Sequence, residues 1–232
     1  MKALVTGSSG AIGSAIARQL GADGYHVIVH GHSRVEETEA VRQSIIQAGG
    51  SSESIFFDIS DAQSCLKALS AFEDDPIQVL VNNAALHLDA PMVGMSQDQW
   101  QRVINTSLSS FYNVTQPLLM PMMRTRWGRI VSIGSIAGLI GNRGQANYAA
   151  AKAGLVGATK SLAHELASRG VLVNVVSPGL IDDGMAKDTL DPSFICSKIP
   201  MKRAGTVTEV ANLVSFLCSD KASYITGQDF HV

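Results

Sequence analysis

The chain has 232 residues, 46% of them hydrophobic, with 18 basic and 20 acidic side chains and a formal net charge of −2. That length suits one α/β domain able to bury a full core, and the near-neutral balance argues against nucleic acid or a membrane surface as the main partner. Cys65, Cys196 and Cys218 stand far apart with no Cys-x-x-Cys pair, so neither a disulfide framework nor a metal site is expected. No apolar run reaches the ~18 residues of a membrane span. The chain enters an apolar strand directly after Met1-Lys2, which leaves no room for a signal peptide and predicts a cytoplasmic protein.

In chain order, short β-branched runs alternate with longer amphipathic stretches. Residues 3–6 read as a strand. It runs into Thr6-Gly7-Ser8-Ser9-Gly10-Ala11-Ile12-Gly13, and Ile12, Ile16 and Leu20, four apart, open a helix. Small residues at such a turn let a backbone approach a pyrophosphate, and the helix amino end offers free N–H groups and a positive dipole end. The plain alternative is a tight turn with no ligand. The second strand, 27–30, leads into Gly31-His32-Ser33-Arg34. No carboxylate stands there to hold ribose hydroxyls as NAD-specific enzymes do, and Arg34 is placed to meet a 2′-phosphate, so NADPH is expected. Ser33-x-x-Glu36 also reads as a capping box for a helix over 35–48.

A third strand at 55–57 precedes Asp58 and Ile59, then a helix over 62–72. A fourth at 77–81 precedes Asn82-Asn83-Ala84-Ala85. A long helix over 97–123 carries Asn105, a poor helix former, and Pro117 and Pro121, which are expected to kink or end it. A fifth strand, 130–133, is followed by Gly134-Ser135; a helix over 147–169 carries Tyr148 and Lys152. The sixth strand, 171–176, leads into Ser177-Pro178-Gly179-Leu180-Ile181. Residues 182–205 break the periodicity and are expected to form a lid over a site. A helix over 207–218 and an edge strand within 224–232 close the pattern. Continuous apolar strands alternating with helices predict a single-domain, Rossmann-like, doubly wound parallel sheet of about seven strands, with helices on both faces.

The sharpest chemical signal is Tyr148-Ala149-Ala150-Ala151-Lys152, an i, i+4 pair on one helix face. A free tyrosine titrates near ~10. An ammonium ~4 Å away is worth about 4 kcal/mol at an effective dielectric of 20, enough to lower the phenol by up to roughly three units before desolvation opposes it. That would suit acid–base work near neutrality. Ser135, just past a strand's carboxyl end where open α/β sheets bind ligands, is placed to hold a carbonyl oxygen. Read alone, the pair is also an ordinary solvated helix face and the serine a loop turn.

From the glycine loop onward the sequence resembles the short-chain dehydrogenase/reductase family over nearly its whole length. The runs Gly144-Gln145-Ala146-Asn147-Tyr148 and Tyr224-Ile225-Thr226-Gly227-Gln228 are especially like its 3-oxoacyl-[acyl carrier protein] reductases. The resemblance implies a catalytic tetrad of Asn105, Ser135, Tyr148 and Lys152. In it the tyrosine donates a proton, the serine orients the substrate oxygen, the lysine holds the nicotinamide ribose, and the asparagine fixes a water. It implies cofactor contacts from Gly7, Ser9, Gly10, Ile12, Gly13, His32, Ser33, Arg34, Asp58, Ile59, Asn82, Ala84, Tyr148, Lys152, Pro178, Gly179 and Ile181, and a homotetramer or homodimer built on the helices over 97–123 and 147–169. The departures are Gly10 where NADP-using relatives carry Arg, Ala85 where Gly is usual, Asp183 where threonine is common, and an ending at His231-Val232. The expected reaction is NADPH-dependent reduction of a 3-oxoacyl thioester carried on acyl carrier protein, in fatty acid or polyene-type biosynthesis. A short-chain dehydrogenase of free ketones and a catalytically silent regulatory protein stay open as alternatives. Met185, Leu190, Phe194, Ile195 and Met201 are candidates to line an acyl channel. Arg124, Arg126, Arg129 and Arg169 would dock an acidic carrier if they converge near the cleft.

Overall fold

The computed structural model describes residues 1–182 and 199–232. Strands β1 (Lys2–Val5), β2 (His26–Gly31), β3 (Ser51–Phe56), β4 (Ile77–Asn82), β5 (Gly128–Ile133) and β6 (Val171–Ser177) are followed by the short β7 (Ile181–Asp182), β8 (Gly205–Thr206) and β9 (Asp229–His231). Seven of them form one sheet in the order β3-β2-β1-β4-β5-β6-β9, every pairing parallel. β7 and β8 pair separately. The helices are α1 (Ala11–Ala22), α2 (Val35–Gln47), α3 (Ala62–Leu69), α4 (Gln97–Ile104), α5 (Ser110–Thr125), α6 (Ala137–Ile140), α7 (Ala146–Leu166) and α8 (Val207–Cys218).

Successive strand residues supply opposite faces, and both faces are apolar. Ala3, Val5, Val27, Val29, Val79, Val81 and Val131 pack with Ile16 and Leu20 of α1, Val41 and Ile45 of α2, and Val210, Val214 and Leu217 of α8. Leu4, Ile28, Ile77, Leu80, Ile130 and Val173 face the other way, onto Cys65 and Leu69 of α3, Val114, Leu118 and Met122 of α5, and Leu166 of α7. The doubly wound single sheet is as the sequence predicts.

Three elements differ from expectation. β3 pairs with β2 from Ser51 rather than from 55; its serines and Glu53 look unlike a buried strand because β3 is a sheet edge. The long helix over 97–123 is broken by a π-helical turn at Asn105–Ser109, and α5 runs through Pro117 and Pro121 to Thr125. Buried Val114, Leu118 and Met122 anchor α5 on the sheet, so packing offsets the backbone bonds that proline forfeits. The capping box at Ser33 does not form: Arg34 occupies the N-cap of α2 with no side-chain cap. Of the expected lid, 183–198 and with it Asp183, Met185, Leu190, Phe194 and Ile195 lie outside the described residues; Met201 is exposed. Among the described residues no helix is long and apolar enough to cross a membrane, and no cluster of metal-ligating side chains occurs.

Candidate active site

β1 sits between β2 and β4, so successive crossovers leave it in opposite directions and open a crevice at the strands' carboxyl ends. Two adjoining chambers occupy it. One, of about 550 Å³, lies over the ends of β2 and β3; the other, of about 690 Å³, lies over β1, β5 and β6. Gly7, Ser9, Arg34, Ala84 and Ala85 line both, which makes one continuous cleft.

The glycine loop forms the shared wall. Gly7 has φ +65°, a left-handed conformation, and its carbonyl accepts the Gly10 N–H at 3.1 Å. A Cβ on Gly13 would fall 2.4 Å from that carbonyl, so the helix and loop meet at a distance only glycine allows. No side chain caps the start of α1, and its first amides have no partner within the helix. Asn83 pins the loop from the other side, its Nδ2 donating to the Thr6 carbonyl at 2.8 Å and the Gly7 carbonyl at 3.2 Å. A bare turn would need no such cradle; backbone clearance, unpaired amides and a dipole end fit a dinucleotide pyrophosphate.

The first chamber holds His32, Ser33, Arg34, Asp58, Ile59 and Asn105. Partial burial works to raise the Asp58 carboxyl, but hydrogen bonds from the Ser60 hydroxyl and amide outweigh it and hold Asp58 below its ordinary value. Arg34 pairs with Glu37 at 3.2 Å on the exposed rim.

The second chamber brings together Gly10, Ile12, Gly13, Ser135, Tyr148, Lys152, Pro178, Gly179 and Ile181. Ser135 follows β5 and its Oγ accepts the Ala137 N–H at 3.1 Å. Tyr148 and Lys152 project from the first turns of α7, the Lys152 ammonium 5.5 Å from the Tyr148 ring centre. Lys152 is 3% exposed, and its Nζ donates to the Ile133 carbonyl at 2.6 Å. Desolvation lowers it from 10.5 to about 8. Tyr148 departs from the expected direction: burial pushes the phenol up, the Ser135 hydroxyl pulls it down, and Asp89 adds to the rise. The expected lowering by Lys152 does not act on the phenol, and burial, which disfavours the phenolate, sets the direction.

Two predicted residues stand apart. Asn82 is still within β4 and its Nδ2 donates to Thr115 at 3.2 Å; neither chamber is lined by it. Asn105 lines the first chamber rather than the second, its Oδ1 accepting from Gln101 at 2.8 Å. The π turn brings Ser107 inward instead. Its hydroxyl donates to the Leu86 carbonyl at 2.9 Å and accepts the Leu86 N–H at 3.0 Å. Sequence reasoning missed Asn83 and His87, which line the second chamber; the His87 ring stands edge-on to Tyr148 with centres 6.3 Å apart. Only Asn83 had a signal, its place just beyond a strand end.

The arginine cluster does not converge on the cleft. Arg126 caps α5 ahead of β5, with Nη2 on the Ser168 carbonyl at 3.1 Å, and Arg169 precedes β6. Both are therefore at the amino-terminal edge of the sheet, roughly 20 Å of strand away from the cleft. Arg129 is 4% exposed, stacked on Trp127 and paired with Asp220.

A doubly wound parallel sheet with a glycine loop at its switch point and a serine, tyrosine and buried lysine beside it defines an oxidoreductase that works with a nicotinamide cofactor. The chain belongs to the short-chain dehydrogenase/reductase family. The model of a family described as enoyl-(acyl carrier protein) reductase matches residues 7–232. Among curated relatives, the 3-oxoacyl-[acyl-carrier-protein] reductase FabG of Aggregatibacter actinomycetemcomitans is 44% identical, over 97% of this chain and 94% of its own length. The proteins of that name from Escherichia coli (strain K12) and Staphylococcus aureus (strain Mu50) are 42% and 43% identical, each over 99% of this chain, and over 94% and 95% of their own lengths.

Proposed function

We propose that this enzyme reduces the 3-keto group of an acyl thioester carried on acyl carrier protein to the 3-hydroxyacyl product, with NADPH as reductant. The observation that carries the reading is the juxtaposition of Ser135, Tyr148 and buried Lys152 in one chamber, in a chain 42–44% identical over nearly its full length to relatives named for that reaction. A bound reduced nicotinamide supplies the hydride to the keto carbon. The chain's own groups manage the oxygen: the Ser135 hydroxyl orients it and Tyr148 passes it a proton. The Lys152 ammonium, anchored by one N–H on Ile133, keeps two donors for a ribose and for the tyrosine oxygen. A phenol raised by burial is a stable donor before cofactor arrives, suited to reduction.

The preference for NADPH is supported by Arg34, which lines both chambers, and by the lack of a carboxylate at 31–34. Glu37 competes for Arg34 and Gly10 offers no side chain, so the preference is modest. A homo-oligomer is supported by an apolar groove between α5 and α7, where Phe111, Leu119, Ala158 and Leu162 line a cavity of about 420 Å³; light scattering that finds only monomer at micromolar concentration would overturn it. The reaction itself is tested by turnover of a 3-oxoacyl thioester on its carrier beside free ketones of the same chain length. Faster turnover of the free ketones would favour the alternative dehydrogenase reading.

A further inference from the structure

His30 occupies the next-to-last position of β2 and is 2% exposed, its ring tilted against Phe57 with centres 4.3 Å apart. Nε2 lies 2.9 Å from the Phe57 carbonyl and Nδ1 lies 3.2 Å from the Gly7 amide nitrogen. A carbonyl carries no proton, so Nε2 must donate. The Gly7 N–H is itself a donor, so Nδ1 must be bare. Both contacts are satisfied only by the neutral Nε2–H tautomer. Burial enforces the same state, lowering the imidazole to about 4, with neighbouring His32 working the same way and the Phe57 bond and Asp58 opposing. The main chain adds a second tie, the Ser8 N–H donating to the His30 carbonyl at 2.9 Å.

The tie falls where the cleft is most demanding. Gly7 holds a left-handed conformation, and its carbonyl is already fixed by the Gly10 amide and by Asn83. His30 fixes the remaining polar group of that residue. It also joins the ends of β1, β2 and β3, which together wall the first chamber through Gly7, His30 and Asp58.

We propose that His30 is a positioning residue for cofactor binding: its bare Nδ1 accepts the Gly7 N–H and holds the glycine loop in its ligand-ready shape. This rests on the reading of the cleft as a nicotinamide dinucleotide site. Two variants separate the ring nitrogens. In His30→Asn the carboxamide oxygen sits where Nδ1 sat and keeps an acceptor for Gly7 while losing Phe57. In His30→Gln the longer side chain reaches Phe57 and leaves Gly7 without an acceptor. NADPH dissociation constants come from fluorescence titration, and kcat is measured at saturating cofactor. His30→Gln is expected to weaken NADPH roughly tenfold with kcat within about twofold, and His30→Asn to stay within roughly threefold of wild type. Unchanged affinity in His30→Gln, or equal loss in both variants, overturns the proposal, because a residue that merely fills space would not distinguish them. Nitrogen NMR of the wild-type imidazole gives an answer that needs no variant. A bare Nδ1 and a protonated Nε2 support the assignment, and the opposite tautomer overturns it. A wild type that takes up no NADPH would instead defeat the cofactor reading, while the tautomer still decides the role of His30.

Discussion

Replacing Lys152 by Met should make the cofactor-free protein more stable while abolishing its activity. The ammonium is buried, and desolvation lowers it from 10.5 to about 8. At ~1.4 kcal/mol for each tenfold change in proton affinity, carrying that charge costs the folded state ~3 kcal/mol at neutral pH. Methionine preserves the stem and its packing but strips the Ile133 carbonyl of its donor, a loss of about 1–2 kcal/mol. The net gain is about 1–2 kcal/mol, or ~2–8 °C in Tm for a chain of this size. The sign reverses with pH in a defined window. Below pH 8 both folded and unfolded lysine are protonated and the full cost is present. Between 8 and 10.5 only the unfolded state keeps its proton, so wild-type stability climbs and the gap to the variant closes. Urea unfolding at pH 7 and pH 10.5, beside NADPH turnover at pH 7, measures both effects. A variant less stable than wild type by more than about 1 kcal/mol at pH 7, or a gap that ignores pH, would refute the reasoning.

Tyr148→Phe should keep its fold and NADPH affinity but lose roughly 10²–10⁴-fold in kcat; retention of more than about a tenth of the wild-type rate would remove Tyr148 from the proton step. Arg34→Ala should narrow the ratio of kcat/KM for NADPH over NADH by roughly tenfold through KM, as loss of one charge-assisted contact implies; an unchanged ratio would leave Arg34 as a mere partner of Glu37. Because Arg126 and Arg169 stand at the edge opposite the cleft, Arg126→Glu with Arg169→Glu should leave turnover of carrier-bound and coenzyme A thioesters equally intact. A loss confined to the carrier-bound substrate would show that docking reaches that edge.

The central strands were legible because a parallel strand buried on both faces is apolar nearly throughout, as in Val27-Ile28-Val29 and Val171-Leu172-Val173. β3 was half hidden, since a sheet edge admits serines. The glycine loop, Ser135, Tyr148 and Lys152 were legible because strand ends and helix spacing fix their direction. Asn82 and Asn83 show the limit of that logic. Neighbouring side chains at a strand end point opposite ways, and only the pairing register says which one meets the loop. Asn105 and Ser107 were beyond reach for another reason. A π turn inserts an extra residue that no residue pattern in 97–123 announces, and it leaves Ser107 rather than Asn105 buried. The prolines do not end α5 because their backbone cost, about 3 kcal/mol each in a free helix, is small beside the packing of α5 on the sheet.

The tie between β6 and β9 has a bearing on how the molecule is made. The Gly179 N–H donates to the Val232 carbonyl at 2.7 Å and the Ser177 hydroxyl to Asp229 at 2.6 Å. One wall of the catalytic chamber is thus braced by residues some fifty positions downstream. During translation the strands around the glycine loop emerge first, but α1 packs on α8 and the Pro178–Gly179 side is tied to β9, so both walls wait for the C-terminal segment. A nascent chain interrupted before residue 229 would lack the strand that braces the Pro178–Gly179 wall of the cleft.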